Sequence, residues 1–325
     1  MKKMVIEMSQ TRSQLIQEAI THLEEAGFDL SSQCDVRPSC FDLVARKGEQ
    51  LILVKVLANI DTLTEEDAKS LHLVAHFFNA TPLVIGRCTR RGTLDEGVVY
   101  KRFGVSTIAP PTFEGLISER KMPREFIQRG GRFVAIDGAK LKEVRMSLDM
   151  SKKELAKCTE VSARAILAYE KDEMDVSKDV AERLEEVLET DLVIPIDIMR
   201  NPLKEPEQIQ RSSKATYLEE RVNQFFERLG MKVLWTDRAP FHVAAKEEGP
   251  PIMTGVGSIK STKIQKRMGI LKSVSDVTRL DSLIIAEEGK VERDITELPV
   301  IRQHELDDIE ESKELRKIIH ERSQS

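Results

Sequence analysis

Runs of apolar residues alternate with amphipathic helical patterns in two parts of the chain, and both parts show the same order. In each part a helical pattern precedes two short strands, a second helix and a third strand. The elements of the first part are predicted at 15–28, 41–48, 50–58, 64–78 and 81–86. Those of the second part are predicted at 217–231, 241–248, 251–257, 261–275 and 281–288. Short apolar strands between helices are typical of an α/β sheet that is buried on both faces.

The two parts keep one register from the first strand to the last. Phe41 matches Phe241, and Leu83 matches Leu283. Two copies about 200 residues apart are too few for a solenoid, so the pattern predicts duplicated domains. A glycine-rich β-ribbon is expected at 130–138, after the first copy.

Residues 151–170, between the copies, have the pattern of two short helices joined by a tight turn. Ser151 is a candidate cap of the first helix, and Glu154 completes a capping box. Ser162 is the candidate cap of the second helix. Amphipathic helical patterns at 141–150 and 176–189 flank the pair.

This order of four helices resembles the lambda-repressor/Cro type of helix-turn-helix domain, over about residues 132–190. In that family an arginine and a glutamate join the first helix to the recognition helix, and Arg145 and Glu170 occupy these positions. One position departs from the family, since Glu160 stands where the turn usually has glycine. A residue other than glycine with positive φ costs on the order of 1 kcal/mol.

The resemblance implies that the second helix of the motif enters the major groove of DNA. Arg164 is the one residue at its start able to make a bidentate contact with guanine, although it could hold a phosphate instead. Lys152 and Lys153 suit phosphate contacts at the start of the preceding helix. The expected DNA-binding residues are Ser151, Lys152, Lys153, Ser162, Ala163, Arg164 and Leu167. The alternative is a small helical bundle that does not touch DNA.

The duplicated parts resemble the restriction-endonuclease-like fold, which includes the archaeal Holliday-junction resolvases. Those enzymes hold Mg²⁺ with an aspartate and with an acidic residue two positions before a lysine. Asp42 and Lys55 fit the first and last positions, but Leu53 occupies the middle one. The second copy has His242, Met253 and Gly255 at the three positions. We therefore expect both copies to be degenerate, with no catalytic residue and no metal site.

Two other carboxylates bear on this prediction. Glu18 could supply an additional carboxylate from the first helix, and Glu49 could replace Leu53 only if the hairpin were rearranged. A structure-selective, Mg²⁺-dependent nuclease of the Holliday-junction-resolvase type is therefore the alternative function. It would use the helical domain as a DNA anchor.

Composition narrows the class of protein further. The 325 residues are 40% hydrophobic and 32% charged with a net charge of −5, which fits a folded protein and excludes a polybasic tail. The four cysteines form no CxxC pair, so reduced thiols are expected. The first ten residues do not fit a signal peptide and no apolar run approaches the ~20 residues of a membrane span, so we expect a cytoplasmic protein without membrane contact.

Other candidate sites are weaker. His72 and His76 have the i,i+4 spacing of metal ligands, but no third ligand is evident, so half-buried histidines are expected. The basic segment 87–92 is expected to be a solvated loop, and no glycine pattern implies a nucleotide cofactor. The charged C-terminal helix is expected to pack on its own domain or to form a dimer seam.

Over nearly its whole length the chain resembles archaeal helix-turn-helix transcriptional regulators. The expected fold is α/β, with two duplicated, degenerate restriction-endonuclease-like domains at 1–125 and 214–325. They flank an all-α lambda-repressor-like helix-turn-helix domain at 132–190, which a linker at 191–213 follows. The expected function is sequence-specific, non-catalytic regulation of transcription by a homodimer on double-stranded DNA, without cofactor and with other transcription proteins as further partners. A scaffold that has lost DNA binding is a third alternative.

Overall fold

The computed structural model describes residues 2–199, 215–258, 262–287 and 298–323, and it divides them into two compact units. One unit comprises residues 2–15, 57–62 and 84–199. The other comprises residues 16–56 and 63–83 together with the described residues from 215 onward. None of the helices in these ranges is long and apolar enough to cross a membrane.

The first copy and the strands after it contain three α-helices, nine strands and a 3-10 turn at Ile60–Thr62. They are α1 (Lys2–Glu25), β1 (Asp29–Leu30), β2 (Leu43–Lys47), β3 (Gln50–Asn59), α2 (Glu65–Phe78), β4 (Thr81–Thr89), β5 (Gly92–Thr93), β6 (Val98–Arg102), β7 (Val105–Ile108), α3 (Pro110–Ser118), β8 (Glu125–Gln128) and β9 (Gly131–Ile136). The predicted helix at 15–28 is longer at its start and ends earlier, because Gly27 turns the chain with a φ of +78°. The predicted ribbon at 130–138 is the end of the antiparallel hairpin β8–β9.

The helical domain follows β9. Its elements are α4 (Gly138–Ser147), α5 (Lys152–Cys158), α6 (Ala163–Tyr169), β10 (Val176–Ser177), α7 (Lys178–Leu188) and β11 (Val193–Ile194). Both short strands pair with β9, so this domain contains strands as well as helices. Its core joins Val134 and Ile136 of β9 to Leu155, Ile166 and Leu184 of the helices, all buried.

The start of the predicted linker at 191–213 has ordered contacts, because Val193 pairs with Ile136 and Ile198 is buried. Val193 packs against the core of the helical domain that precedes it. The rest of that linker, residues 200–213, lies outside the described residues.

The second copy forms a five-stranded sheet in the order β12-β13-β14-β15-β16, with β14, β15 and β16 parallel. Its elements are α8 (Tyr217–Arg228), β12 (Lys232–Trp235), β13 (Val243–Lys246), β14 (Ile252–Val256), α9 (Thr262–Thr278), β15 (Ser282–Ala286), β16 (Val300–Arg302) and α10 (Ser312–Ser323). The predicted C-terminal helix, α10, packs on this module, because Leu315 and Ile319 lie in the module's core.

The predicted register of the two copies is confirmed in the second unit. Leu43 pairs with Val54 across β2 and β3, and Val243 pairs with Thr254 across β13 and β14. The sequence did not predict β1 and β12, which add an antiparallel strand to β2 and β13. β1 has only two residues, and the four residues of β12, KVLW, do not alternate between apolar and polar.

The two copies also pair with each other inside the second unit, and their contacts are reciprocal. Arg46 of β2 donates to the Thr278 carbonyl at the end of α9 at 2.6 Å. Lys246 of β13 donates to the Phe77 carbonyl near the end of α2 at 3.3 Å. Such reciprocity is the mark of a two-fold interface, here formed within one chain.

Two ion pairs also join the copies, one from α2 and one from α9. Glu66 of α2 forms an ion pair of 2.7 Å with Arg238 of the second copy. Lys266 of α9 forms one of 2.6 Å with Asp35 of the first copy. Glu66 and Lys266 occupy matching positions with opposite charges. Their partners do not match, since Arg238 corresponds to Pro38 and Asp35 to Trp235.

Candidate DNA-binding site

Helices α5 and α6 begin at side-chain caps, as their sequences predict. Ser151 Oγ accepts the Glu154 N–H at 3.2 Å, and Glu154 Oε2 accepts the Ser151 N–H at 2.7 Å. The hydrogen bonds from Ser151 hold the pKa of Glu154 below its ordinary value. Ser162 Oγ accepts the Ala165 N–H at 3.1 Å at the start of α6. These bonds satisfy backbone donors that a helix leaves free at its start.

The turn between the helices contains no glycine and is held by hydrogen bonds to backbone carbonyls. Glu160 has a φ of +57°, the left-handed conformation that glycine adopts at lower cost. The Val161 N–H donates to the Ala156 carbonyl at 3.0 Å. Arg183 of α7 donates to the Thr159 carbonyl at 3.1 Å and so ties the turn to the next helix.

A buried ion pair fixes α6 to α4. Arg145 Nε donates to Glu170 Oε1 at 2.6 Å, and the two side chains are 7% and 2% exposed. Arg145 also donates to the Met150 carbonyl at 2.6 Å. Lys152 Nζ lies 3.6 Å from Glu170 Oε2, a contact that no sequence spacing indicated. Lys152, which was expected to contact a phosphate, therefore also forms an ion pair with the buried carboxylate of Glu170.

The start of α6 presents the residues that the sequence selected. Arg164 is exposed, Leu167 is 39% exposed, and Ala163 is half-buried against the domain core. Lys153 on α5 is exposed. Among the described residues, neither Arg164 nor Lys153 has a partner in a hydrogen bond or ion pair. The exposed end of α6 thus carries a free guanidinium on a rigidly held helix.

Gly138, at the start of α4, was missed as a site residue. A Cβ atom there would lie 2.3 Å from the Tyr169 carbonyl oxygen at the end of α6. Its N–H donates to Asp172 Oδ1 at 3.1 Å. Glycine is required because the two helix ends approach closely, and only the folded structure reveals that contact.

The remnant of the nuclease-like centre does not fit a hard divalent cation. Asp42 is fully buried, and its Oδ2 accepts the Val56 N–H at 2.8 Å. Its Oδ1 faces Arg37 at 3.4 Å and Lys55 at 4.0 Å. The middle position of the centre is Leu53, a fully buried side chain without the oxygen ligand that Mg²⁺ prefers.

The second copy keeps the hydrogen bond to the backbone N–H but not the carboxylate. His242 Nδ1 accepts the Val256 N–H at 3.0 Å, as Asp42 does for Val56. His242 Nε2 lies 2.6 Å from a guanidinium nitrogen of Arg267, whose pKa burial lowers. Met253 is fully buried.

Among the described residues, the remaining candidates form no group of three or more side chains that could hold a metal ion. Glu18 and Glu49 are both exposed, and His72 and His76 are half-buried on α2. Burial raises the pKa of Cys40 to about 12 and raises that of Cys34 as well, so these thiols are poor nucleophiles. Segment 87–92 is a loop only in part, because residues 87–89 end β4 and Gly92 begins β5, which leaves Arg90 and Arg91 as the exposed turn.

Fold and site together define a helix-turn-helix protein that also carries a nuclease-like α/β module. Comparison with known families agrees: residues 12–123 match the PD-(D/E)XK superfamily domain, and residues 141–194 match a helix-turn-helix family. No solved structure matches the chain significantly.

Full-length relatives are found in archaea. The chain is 34% identical to a protein of Thermococcus kodakarensis over 95% of both chains. It is 36% identical to one of Methanococcoides burtonii, over 95% of this chain and 97% of the relative. Each is named "Putative HTH-type transcriptional regulatory protein". The chain belongs to this family of archaeal HTH-type transcriptional regulatory proteins.

Proposed function

We propose that the protein is a sequence-specific, DNA-binding regulator of transcription without catalytic activity, acting in the cytoplasm. The observation that carries the proposal is the buried Arg145–Glu170 pair, which holds α6 with its first turn exposed. Arg164 is exposed at the start of this helix and has no partner among the described residues, so its guanidinium is available to a base or a phosphate. The names of the archaeal relatives support the same function.

We call the DNA-binding residues of α5 and α6 and their caps (Ser151, Lys152, Lys153, Ser162, Ala163, Arg164 and Leu167) the reading head, and we propose a different role for each part of it. Arg164 would contact a guanine edge, and Leu167 and Ala163 would make apolar contacts in the major groove. Lys153, with Lys152 beside it, would hold phosphates at the start of α5, where the helix dipole also favours an anion. Ser151 and Ser162 place backbone N–H groups at the DNA surface through their caps.

Selection of duplexes from a random library by the full-length protein tests the proposal. Arg164→Ala should weaken binding to the selected site by about 1 to 3 kcal/mol and relax the preference at one base pair. Lys153→Ala should weaken binding to all sequences about equally and lower the salt slope by about one unit. Lys317→Ala, an exposed lysine of α10, is the matched control and should change neither. Equal effects of all three variants would contradict the groove assignment.

The proposal of no catalysis rests on the donor set at Asp42. One of its oxygens is committed to a backbone N–H and the other faces two cations, so Mg²⁺ would have to displace protein contacts. The match to the PD-(D/E)XK superfamily makes the resolvase-type nuclease the candidate to test. Incubating duplex and four-way-junction DNA with Mg²⁺ or Mn²⁺ should give no cleavage. Cleavage that Asp42→Ala abolishes would establish the enzyme instead.

We propose three functional domains, near residues 1–125, 132–190 and 214–325. We also propose a homodimer whose two helix-turn-helix domains bind DNA one helical turn apart. The faces through which the two copies pair are already occupied within one chain, so this dimer must use another surface. Sedimentation of the full-length protein with and without its selected duplex measures the stoichiometry. Other transcription proteins are further proposed partners.

A further inference from the structure

The hairpin between β6 and β7 has an unusual tip. Arg102 and Val105 are its last pair, and Phe103 and Gly104 form the loop with φ values of +49° and +81°. Loops of this kind favour Asn-Gly, because a bulky side chain in the left-handed region costs about 1 to 2 kcal/mol. Phe103 is nevertheless present, with 53% of its surface exposed. Neither turn geometry nor burial among the described residues accounts for a phenylalanine here.

Three turns meet at this end of the sheet. Strands β6 and β8 are parallel, with Tyr100 opposite Ile127, so the turns that follow them lie side by side. Asp61 joins the β4–β5 turn to them: Oδ2 accepts the Arg90 N–H at 2.8 Å, and Oδ1 accepts from Arg102 at 3.3 Å. We call Phe103 and the exposed arginines of these turns, Arg90, Arg91 and Arg129, the turn surface.

The turn surface carries positive charge that the described residues leave uncompensated. Asp61 neutralises Arg102, but no ion pair joins the three arginines of the turn surface to any described side chain. In a chain of net charge −5 such a patch is local. Arginines around an exposed aromatic ring suit a polyanion that also offers flat apolar groups, as nucleic acid does.

The turn surface adjoins the loop at the C-terminal end of α6, within the same unit. Gln128, beside Arg129, donates to Asp175 Oδ2 at 3.0 Å in the loop that follows α6. Phe133 of β9 pairs with Ser177 of β10, just beyond that loop. From β8 to β4 the sheet order takes three steps, or about 15 Å at the usual strand spacing. That distance corresponds to about four base pairs of duplex.

We propose that the turn surface binds duplex DNA flanking the helix-turn-helix site. Arg90, Arg91 and Arg129 hold phosphates, and the Phe103 ring inserts against the bases in the minor groove. This inference rests on the proposed function and extends its footprint to one side. It gives the nuclease-like module a role in DNA binding that needs neither a metal nor the remnant centre.

The proposal is tested by measuring the affinity of the full-length protein for two DNA duplexes that contain its selected site. One duplex of about 14 bp holds only the core site, and one of about 40 bp adds long flanks. Replacing Arg90, Arg91 and Arg129 together by alanine should weaken binding to the long duplex at least about fivefold. It should lower the salt slope by two to three units, at about 0.9 per phosphate contact. Binding to the short duplex should not change.

A charge-matched control replaces Lys232, Lys313 and Lys317, exposed lysines of the second copy, by alanine. This control should leave binding to both duplexes unchanged. An equal loss with the control, or equal wild-type affinity for the two duplexes, would overturn the proposal while leaving the function intact. If the wild-type protein bound neither duplex, the function itself would fail and this inference with it.

Phe103→Asn distinguishes the contribution of the aromatic ring to DNA binding from its effect on folding of the hairpin. Asparagine tolerates the left-handed conformation, so the hairpin is kept or improved. The variant should bind the short duplex as the wild type does and lose affinity for the long one, with an unchanged salt slope because no charge is removed. Undiminished binding of this variant to the long duplex would rule out insertion of the Phe103 ring into the minor groove.

Discussion

The buried ion pair between α4 and α6 offers the sharpest test of how the reading head is held. Removing Glu170 as Glu170→Leu leaves the Arg145 guanidinium, 7% exposed, with the Met150 carbonyl as its remaining hydrogen-bond partner. An uncompensated buried charge of this kind costs about 3 to 5 kcal/mol. We expect the domain to lose stability within that range.

The reverse change should cost less, because Glu170 has a second cation. With Arg145→Met, Lys152 stays 3.6 Å from Glu170 Oε2, and its side chain is 38% exposed, so solvent screens part of the attraction. We therefore expect a loss of about 2 to 3 kcal/mol, smaller than for Glu170→Leu. The double variant Arg145→Met/Glu170→Leu buries no charge and should lie within about 1 kcal/mol of the wild type.

Hydrogen exchange of the full-length protein, read by mass spectrometry over α4, α5 and α6, measures these losses. A loss of about 3 kcal/mol accelerates exchange through opening by more than a hundredfold. Peptides from α8 serve as the internal control and should not change. Single variants that cost less than about 1 kcal/mol, or Arg145→Met costing more than Glu170→Leu, would refute the reasoning.

Three further predictions concern the same domain. Glu160→Gly should stabilise it by up to about 1 kcal/mol, because glycine relieves the positive φ, and slower exchange in α5 would show it. Gly138→Ala should destabilise it by about 1 to 3 kcal/mol through the clash with the Tyr169 carbonyl, whereas Ala139→Gly on the exposed neighbour should cost about 1 kcal/mol or less. Since the folded pKa of Glu154 lies below its ordinary value of 4.5, its contribution is present above that pH and is lost as the pH falls through the folded pKa. The wild-type exchange rate in α5, divided by that of Glu154→Gln at the same pH, should therefore rise below pH 4.5, and a constant ratio would contradict this.

Features set by neighbouring residues could be predicted from sequence. The caps at Ser151 and Ser162 depend on side chains three positions away, and the register of the two copies depends on apolar periodicity. Contacts between distant segments could not be predicted. The need for glycine at 138 arises from a carbonyl 31 positions further along the chain, and the contact of Lys152 with Glu170 depends on how two helices cross.

The pairing of the copies shows the same limit. Arg46 and Lys246 lie at matching positions, yet nothing in either segment indicates that each reaches a helix end of the other copy. Repetition predicts two similar bodies, and it leaves open whether they pair within one chain or between chains. That choice depends on the path of the chain and on the faces left free, which are properties of the folded structure.

The two remnant centres show why Asp42 and His242 are kept where the middle carboxylate of a nuclease-like site is replaced. The N–H groups of Val56 and Val256 are buried at the same point of the fold, and each needs an acceptor. Asp42 supplies a carboxylate oxygen and His242 supplies a ring nitrogen, so the two side chains meet one requirement by different chemistry. An unpaired buried N–H costs about 1 to 3 kcal/mol, which is reason enough to keep an acceptor there. No such requirement acts on the middle position, where Leu53 and Met253 add to the core instead. An aspartate at position 42 is therefore evidence of a backbone contact that the fold needs, and by itself it is no evidence of a metal.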